Sequence, residues 1–373
     1  MLRSLSNVSA AAVLVAAVTL SCADPSSPGP TTSSPSLESA EAHKDSPTLR
    51  VQHSGTINRL QAISPVSSDV VWASGVGGTF VRTTDGGRTW RAGVVEGAEL
   101  LQFRDVHGVS AREAYLLSAG VGEDSRIYKT VDGGETWQLQ FKNQNPNTFY
   151  DCFDFWSPDR GITMADAVNG LFPVIRTRNG EDWIRIARRL PPAQAGEAAF
   201  AASGTCVATH GENQAWIATG AAEKARILAT TDGGDTWKSY TTPIVQGTPA
   251  SGLFTVAFRD GKHGILAGGD LEAPDAPSDN VAVSRDGGKT WKLVSGTPFP
   301  GAAYGLSYVP ARWHGQNERR VVITGPGGAA WTENEGRRWH LLPDVRDYWA
   351  VAFANPYRGW LVGTDGRILK IVF

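Results

Sequence analysis

Six short turns carry an acid or an amide at a corresponding place, and these residues are the first to suggest chemistry. Four have the form Asp-Gly-Gly-x-Thr-Trp: Asp85–Trp90, Asp132–Trp137, Asp232–Trp237 and Asp286–Trp291. Two have a form one residue shorter: Asn179–Trp183 and Glu335–Trp339. A calcium loop needs several oxygen ligands at alternating positions, whereas each turn offers one or two carboxylates. A catalytic acid has no reason to recur around a fold, so we predict that these turns are structural hairpins.

The turns recur at intervals that define a repeat. Their acid or amide positions are 47, 47, 53, 54 and 49 residues apart, about the length of four short strands with their connections. Seven pairs of apolar strands are present, and in the first six repeats a third and a fourth strand follow the pair. The seventh repeat ends after its third strand, and one strand that belongs to no repeat lies at residues 48–52. We therefore predict an all-β fold, a seven-bladed β-propeller over residues 48–373 in which the N-terminal strand completes the last blade.

The turns resemble the Asp-box (BNR) repeat of sialidase-like propellers. With Gly359–Gly363 as a good copy of its strand pattern, the chain is most similar to the photosystem II stability and assembly factor family. That resemblance implies an exported, often lipidated propeller that binds proteins and does not turn over a substrate. Sialidases share the Asp boxes, but the Phe-Arg-Ile-Pro or Tyr-Arg-Ile-Pro segment typical of them does not occur here, and Phe172–Arg176 has the wrong order.

A glycoside hydrolase is the alternative function. Such an enzyme needs two carboxylates about 5–10 Å apart across a cleft. Asp151 and Asp270 are the weak catalytic candidates, because both lie near loops that lead into innermost strands or that link second and third strands. Four other acids share that placement: Asp105, Asp154, Asp166 and Asp347. The sequence pairs no two of them, and solvated loop residues are the simpler interpretation.

Binding residues are expected where the blades differ, at the mouth of the central channel. Irregular insertions at residues 190–202, 246–252 and 269–280 interrupt the repeat. Aromatic and charged residues also cluster where the innermost strands begin: Tyr150, Tyr304, Arg346, Asp347, Tyr348 and Trp349. These side chains either form a contact surface or cover the core where the blades converge, and the sequence leaves both alternatives open.

The N-terminus predicts export. Residues 1–23 combine Arg3 with an apolar run that is too short to span a bilayer. They resemble a lipoprotein signal with Cys22 as the lipidated residue, although cleavage after Ala23 is the alternative. Residues 24–47 are rich in Pro, Ser and Thr, so we predict a disordered tether. The expected location is the periplasm or the cell surface, with the membrane contacted only through the anchor.

The net charge limits the kinds of partner that the chain is expected to bind. The net charge is −2 without a basic cluster, which argues against nucleic acid. We expect a protein partner that the sequence does not identify, a carbohydrate as the alternative ligand, and no cofactor or metal.

Cys152 and Cys206 occupy one register in neighbouring innermost strands. Since equivalent positions would point the same way around the ring, we expect two buried thiols, although an exported protein could oxidise them.

Overall fold

The computed structural model describes residues 46–186, 190–273, 276, 279–311 and 319–373. Cys22, the predicted signal peptide and most of the predicted tether lie outside these residues. The described chain forms seven four-stranded antiparallel sheets, each ordered from an innermost to an outermost strand. Within this part of the chain, no helix has the length and apolar character that crossing a bilayer requires.

Each sheet is one blade, and in the first six blades the four strands follow one another along the chain. The first four blades are β2 (Leu60–Pro65), β3 (Val71–Gly75), β4 (Thr79–Thr83) and β5 (Arg91–Val94); β6 (Phe103–Gly108), β7 (Ala114–Ser118), β8 (Arg126–Thr130) and β9 (Gln138–Lys142); β10 (Tyr150–Ser157), β11 (Arg160–Ala165), β12 (Val174–Thr177) and β13 (Ile184–Arg185); β14 (Val207–His210), β15 (Gln214–Thr219), β16 (Arg226–Thr230) and β17 (Lys238–Thr241). The last three are β18 (Ser251–Phe258), β19 (Gly264–Asp270), β20 (Val281–Ser284) and β21 (Lys292–Leu293); β22 (Gly305–Tyr308), β23 (Val321–Gly325), β24 (Gly328–Thr332) and β25 (His340–Leu341); β26 (Tyr348–Phe353), β27 (Arg358–Gly363), β28 (Arg367–Val372) and β1 (Thr48–His53).

The seventh blade confirms the predicted closure. Strand β1 pairs antiparallel with β28, from Thr48 opposite Val372 to His53 opposite Arg367. The first strand of the chain is therefore the outermost strand of the last blade. Pairing the two ends in one sheet leaves no open edge between the first and last blades.

The second strand of each blade is almost wholly buried because neighbouring blades cover both of its faces. That is why these strands are continuous apolar runs and do not alternate. Large rings fill the space between blades: Trp216 stacks on Phe258 of the next blade with centroids 3.6 Å apart. Replacing a fully buried ring such as Trp72 with Ala costs about 3–5 kcal/mol.

The Asp-box turns are hydrogen-bonded caps, as predicted. In the first turn, Oδ1 of Asp85 accepts the backbone N–H of Thr89 at 2.9 Å, and Thr89 Oγ1 donates to Oδ2 at 2.7 Å. Bonds from Thr89 hold the pKa of the Asp85 carboxyl well below its usual range. A hydroxyl two residues upstream completes the cap, because Thr83 Oγ1 donates to Asp85 and accepts Gly87 N–H. The sequence analysis did not identify that hydroxyl.

One predicted turn is misplaced by a residue. In blade 6 the capping residue is Asn334, not Glu335: Asn334 Oδ1 accepts the N–H of Arg338 at 2.9 Å and the hydroxyl of Thr332 at 3.0 Å. Glu335 occupies the first glycine position with φ 56°, and its buried carboxylate accepts Arg259 Nε at 3.0 Å. This turn therefore has the full six residues.

The prediction of two thiols is also wrong. Cys152 and Cys206 form a disulfide with Cα atoms 5.9 Å apart. We assumed that both side chains take the direction of a regular strand. Cys206 instead lies in a bend one residue before β14, where pleating does not fix its direction. Its N–H donates to Sγ of Cys152 at 3.3 Å, so the innermost strands of blades 3 and 4 are in close contact here.

Candidate functional site at the channel mouth

A β-bulge interrupts the start of most innermost strands. Pairing with the second strand skips one residue in five blades, and in blade 6 Tyr304 directly precedes β22. A bulge re-aims the extra residue relative to the regular pleat. These residues, which we call the mouth ring, are Gln61, Arg104, Asp151, Phe254, Tyr304 and Trp349.

The aromatic half of the mouth ring is continuous from blade to blade. Phe254 and Tyr304 have ring centroids 5.8 Å apart, and Tyr304 and Trp349 lie 4.9 Å apart, both edge to face. The guanidinium of Arg59 lies 4.5 Å over the Trp349 ring, which extends the sequence of contacts into blade 1. Cation–π contacts of this kind contribute about 0.5–2 kcal/mol. These side chains therefore converge on the channel mouth.

The other half of the ring is polar and carries a pair of acids. Burial raises the pKa of Asp151 well above its usual value, and a side-chain hydrogen bond with Asp166 raises it further. Burial also raises the pKa of Asp166 to about 6, while Ala199 N–H donates to its Oδ1 at 3.0 Å. A shared proton explains how two carboxyls stay in contact. Carboxyls at hydrogen-bond distance are closer than the about 5–10 Å that glycoside hydrolases use.

Below the ring, the channel encloses a cavity of about 320 Å³ lined by the innermost strands of all seven blades. Two buried acids in its wall connect adjacent blades. Asp105 accepts the N–H of Phe153 at 2.8 Å, and Asp154 accepts that of Thr209 at 2.7 Å. Burial raises the pKa of Asp154 to about 6 and that of Asp105 well above its usual value. Their bonds make these acids structural.

The predicted binding-face residues lie in three different environments: the mouth ring, the space between blades, and loops outside the ring. Tyr304 and Trp349 belong to the mouth ring. Tyr150 and Tyr348, one residue before a bulge, are buried between blades, and the ring of Tyr150 packs against Phe141 at 5.4 Å.

The remaining candidates lie on loops outside the ring. Arg346 is exposed, and Asp347, with φ 64°, lies 3.3 Å from Arg367. Asp270 forms local bonds: it accepts Glu272 N–H at 2.9 Å and Thr248 Oγ1 at 3.4 Å. Asp151 is therefore paired with Asp166, and no contact in the described chain joins it to Asp270.

Four residues at the channel mouth were not predicted from the sequence: Arg59, Gln61, Arg104 and Phe254. A signal for three of them exists in the repeat, because ring residues lie eleven positions before a residue of the second strand. The pairs are Gln61 and Trp72, Arg104 and Tyr115, Asp151 and Ile162, Phe254 and Ile265, and Trp349 and Trp360. That column changes from amide to cation, acid and aromatic, while the residue before it is always a large apolar or aromatic one. Aligning the blades on their second strands would have found it.

The fold and the capped turns define an Asp-box β-propeller. The family model of the BNR/Asp-box repeat matches residues 282–293, the turn of blade 5. No curated protein matches the chain significantly in sequence.

Solved structures show the same fold at low identity. YCF48 bound to D1 peptide matches with a TM-score of 0.61 at 14% identity, covering 88% of this chain and 96% of that one. YCF48 from Cyanidioschyzon merolae has a TM-score of 0.61 at 16% identity, covering 87% and 98%. A catalytically inactive virginiamycin B lyase from Staphylococcus aureus, with quinupristin, has a TM-score of 0.62 at 12% identity, covering 88% and 99%. The chain is thus similar in fold to both a peptide-bound propeller and a lyase.

Proposed function

We propose that this chain is an exported, non-catalytic propeller that binds a protein partner through one face. We call it the mouth face; it consists of the loops that lead into the innermost strands and those that link second and third strands. The likeness to a propeller bound to a peptide supports this function. The observation that carries it is the distribution of exposed apolar side chains.

Four exposed apolar side chains form an arc on the mouth face across blades 1–3. Leu100 is 97% exposed and Ile57 is 86% exposed, in loops that lead into β6 and β2. Val121 and Leu171 are exposed on the connections between second and third strands of blades 2 and 3. Highly exposed apolar side chains on the loops of one face are typical of protein interfaces.

Site-specific photo-crosslinking tests this surface. A benzophenone amino acid replaces Leu100 in one variant and Ile57 in another, and each protein is irradiated in solubilised membranes of the source cells. Ile184 is the matched control, because it is 66% exposed but lies in β13, directly after the Asp-box residue Trp183. We expect the same protein adduct from both arc positions and none from Ile184. Absence of adducts from both positions, or equal adducts from Ile184, contradicts the proposal.

The geometry gives less support to catalysis. Asp151 and Asp166 interact with each other, and burial raises the pKa of both carboxyls, while Asp270 accepts a local hydrogen bond. Because a lyase is among the proteins of similar fold, catalysis has to be tested directly. Turnover of aryl-glycosides or polysaccharides that is lost in Asp151→Asn would favour a hydrolase over a binding module.

Export and lipid anchoring are part of the proposal and rest on the sequence of residues 1–23. We expect the wild-type chain to be recovered with membranes. Cys22→Ala should release it into the soluble exported fraction if Cys22 carries the lipid. Retention of Cys22→Ala on membranes would remove lipidation from the proposal and leave partner binding untouched.

A further inference from the structure

A segment that leads into the innermost strand of blade 4 lies across the channel mouth. We call residues 200–204 the crossing segment. Its Ala201 carbonyl accepts Nη1 of Arg104 in blade 2 at 3.2 Å. Two residues later, Ser203 Oγ donates to the Tyr304 carbonyl before blade 6 at 2.7 Å. Gly204 lies against blade 2, since a Cβ there would come within 2.4 Å of Asp105 Oδ1. The segment thus contacts opposite sides of the ring.

The crossing segment is held as a bound peptide would be. Phe200 packs edge to face on Phe254 with centroids 4.3 Å apart. It also lies close to Gly220 and Gly252, where added Cβ atoms would be 2.9 and 3.3 Å from Cε2 of Phe200. Ala202 packs against Phe254 in the same small cluster. An aromatic side chain in a niche, a main-chain carbonyl bound by arginine and a serine hydrogen bond are contacts by which peptides are recognised.

Unpartnered polar groups lie at the mouth ring that this segment crosses. Gln61 is fully buried, and neither its Oε1 nor its Nε2 has a hydrogen-bond partner within the protein. A buried polar group without a partner costs about 1–3 kcal/mol. The site therefore holds a buried amide that the crossing segment does not satisfy.

Both ends of the crossing segment are fixed to the propeller. Before it, the fully buried carboxylate of Glu197 pairs with Arg226, and its Oε1 accepts Thr219 Oγ1 at 2.7 Å. After it, Cys206 is bonded to Cys152. The residues between these points can open locally while the blades stay folded, as loops that bind ligands commonly do.

We propose that the channel mouth is a peptide-binding site occupied in the free chain by residues 200–204, and that an extended partner segment with an aromatic residue followed by small residues replaces them. This inference rests on the proposed function and names the kind of segment that the mouth accepts. Gln61 supplies the hydrogen bonds that distinguish the partner from the internal segment.

Binding of the segment in trans tests the proposal. The probe is a fluorescent, terminally blocked peptide of residues 198–205, Ala-Ala-Phe-Ala-Ala-Ser-Gly-Thr, measured by anisotropy. We expect at least tenfold tighter binding to the double variant Phe200→Ala/Ser203→Ala than to wild type, because that variant vacates the niche. Adding Arg104→Ala should abolish binding, and the same peptide with Ala in place of Phe should not bind.

Two readouts keep the outcome interpretable. Near-ultraviolet circular dichroism and a cooperative melt establish that the variants are folded. Hydrogen exchange in wild type should show the amides of residues 199–203 opening faster than those of β18. A folded double variant that does not bind the peptide, or wild-type amides that exchange only on global unfolding, overturns the inference. If Leu100 gives crosslinks but the peptide does not bind, the proposed function is supported and only the inference about the crossing segment is overturned.

Discussion

Nε1 of Trp360 donates to Oε1 of Gln52 across 3.1 Å, although 308 positions separate the two residues in the chain. The same oxygen accepts Nε1 of Trp90 at 3.1 Å. Gln52 lies in the closing strand β1, Trp360 in blade 7, and Trp90 at the Asp-box turn of blade 1. One amide therefore connects the closing strand with both blades that meet at the junction of the ring.

Gln52→Ala should destabilise the closure more than a similar change elsewhere. It leaves two indole N–H groups without their acceptor, and an unsatisfied buried donor costs about 1–3 kcal/mol. We expect the free energy of unfolding in urea to fall by about 2–4 kcal/mol. The control is Gln140→Ala in β9 of blade 2, whose Oε1 accepts one indole, that of Trp183 in blade 3, at 3.2 Å. Equal losses in the two variants would show that the closing strand has no special role.

Asn334 caps the turn of blade 6, so its side chain should matter although the sequence pattern pointed to its neighbour. Asn334→Ala removes the acceptor for Arg338 N–H and should lower the free energy of unfolding by about 1 kcal/mol. Asn334→Asp restores the acid of the other boxes and should match or exceed wild type in thermal denaturation. If Asn334→Ala melts like wild type, the cap assignment is incorrect.

The fold could be predicted from the sequence because every blade repeats the same local pattern of turns and strands. Gly-Gly turns, apolar second strands and Trp residues recur, and their count required the strand at residue 48. Asp151 and Asp166 are fifteen residues apart and meet because β10 and β11 form a hairpin. Neither the residue types nor their spacing predicts that the two carboxyls interact. The bulges that form the mouth ring depend on how two strands pair. The corresponding residues of the other blades do not indicate the path of the crossing segment, because its contacts in blades 2, 5 and 6 are purely tertiary.

The disulfide between Cys152 and Cys206 should stabilise the propeller where the crossing segment ends. It closes a loop with a sequence separation of 54 residues, and loops of this size contribute about 2–4 kcal/mol, chiefly through the unfolded chain. We expect Cys152→Ser/Cys206→Ser to unfold at lower urea concentration than wild type. Reducing agent should shift the wild-type midpoint towards the variant and leave the variant unchanged. A shift of the variant under reduction would contradict this account, because the variant has no disulfide to reduce.

The acid pair predicts a stability loss as pH rises. Burial raises the pKa of Asp166 from 3.8 to about 6, so between these values the folded chain holds a proton that the unfolded chain releases. Stability must then fall as pH rises through this window and level off above it. Asp166→Asn removes that titration while keeping an oxygen for Ala199 N–H. We expect the loss of unfolding free energy between pH 4 and 7 to shrink by roughly 2–3 kcal/mol.

Asp260→Asn is the control of opposite sign. The N–H groups of Lys262 and His263 donate to the Asp260 carboxylate, and its pKa is lowered to about 2 despite the opposing effect of burial. Its stabilisation is present above pH 4 and is lost as pH falls towards 2. Asp260→Asn should therefore remove the loss of stability that occurs as pH falls from 4 towards 2. If Asp166→Asn leaves the slope between pH 4 and 7 unchanged, the two carboxyls at the channel mouth do not share a proton.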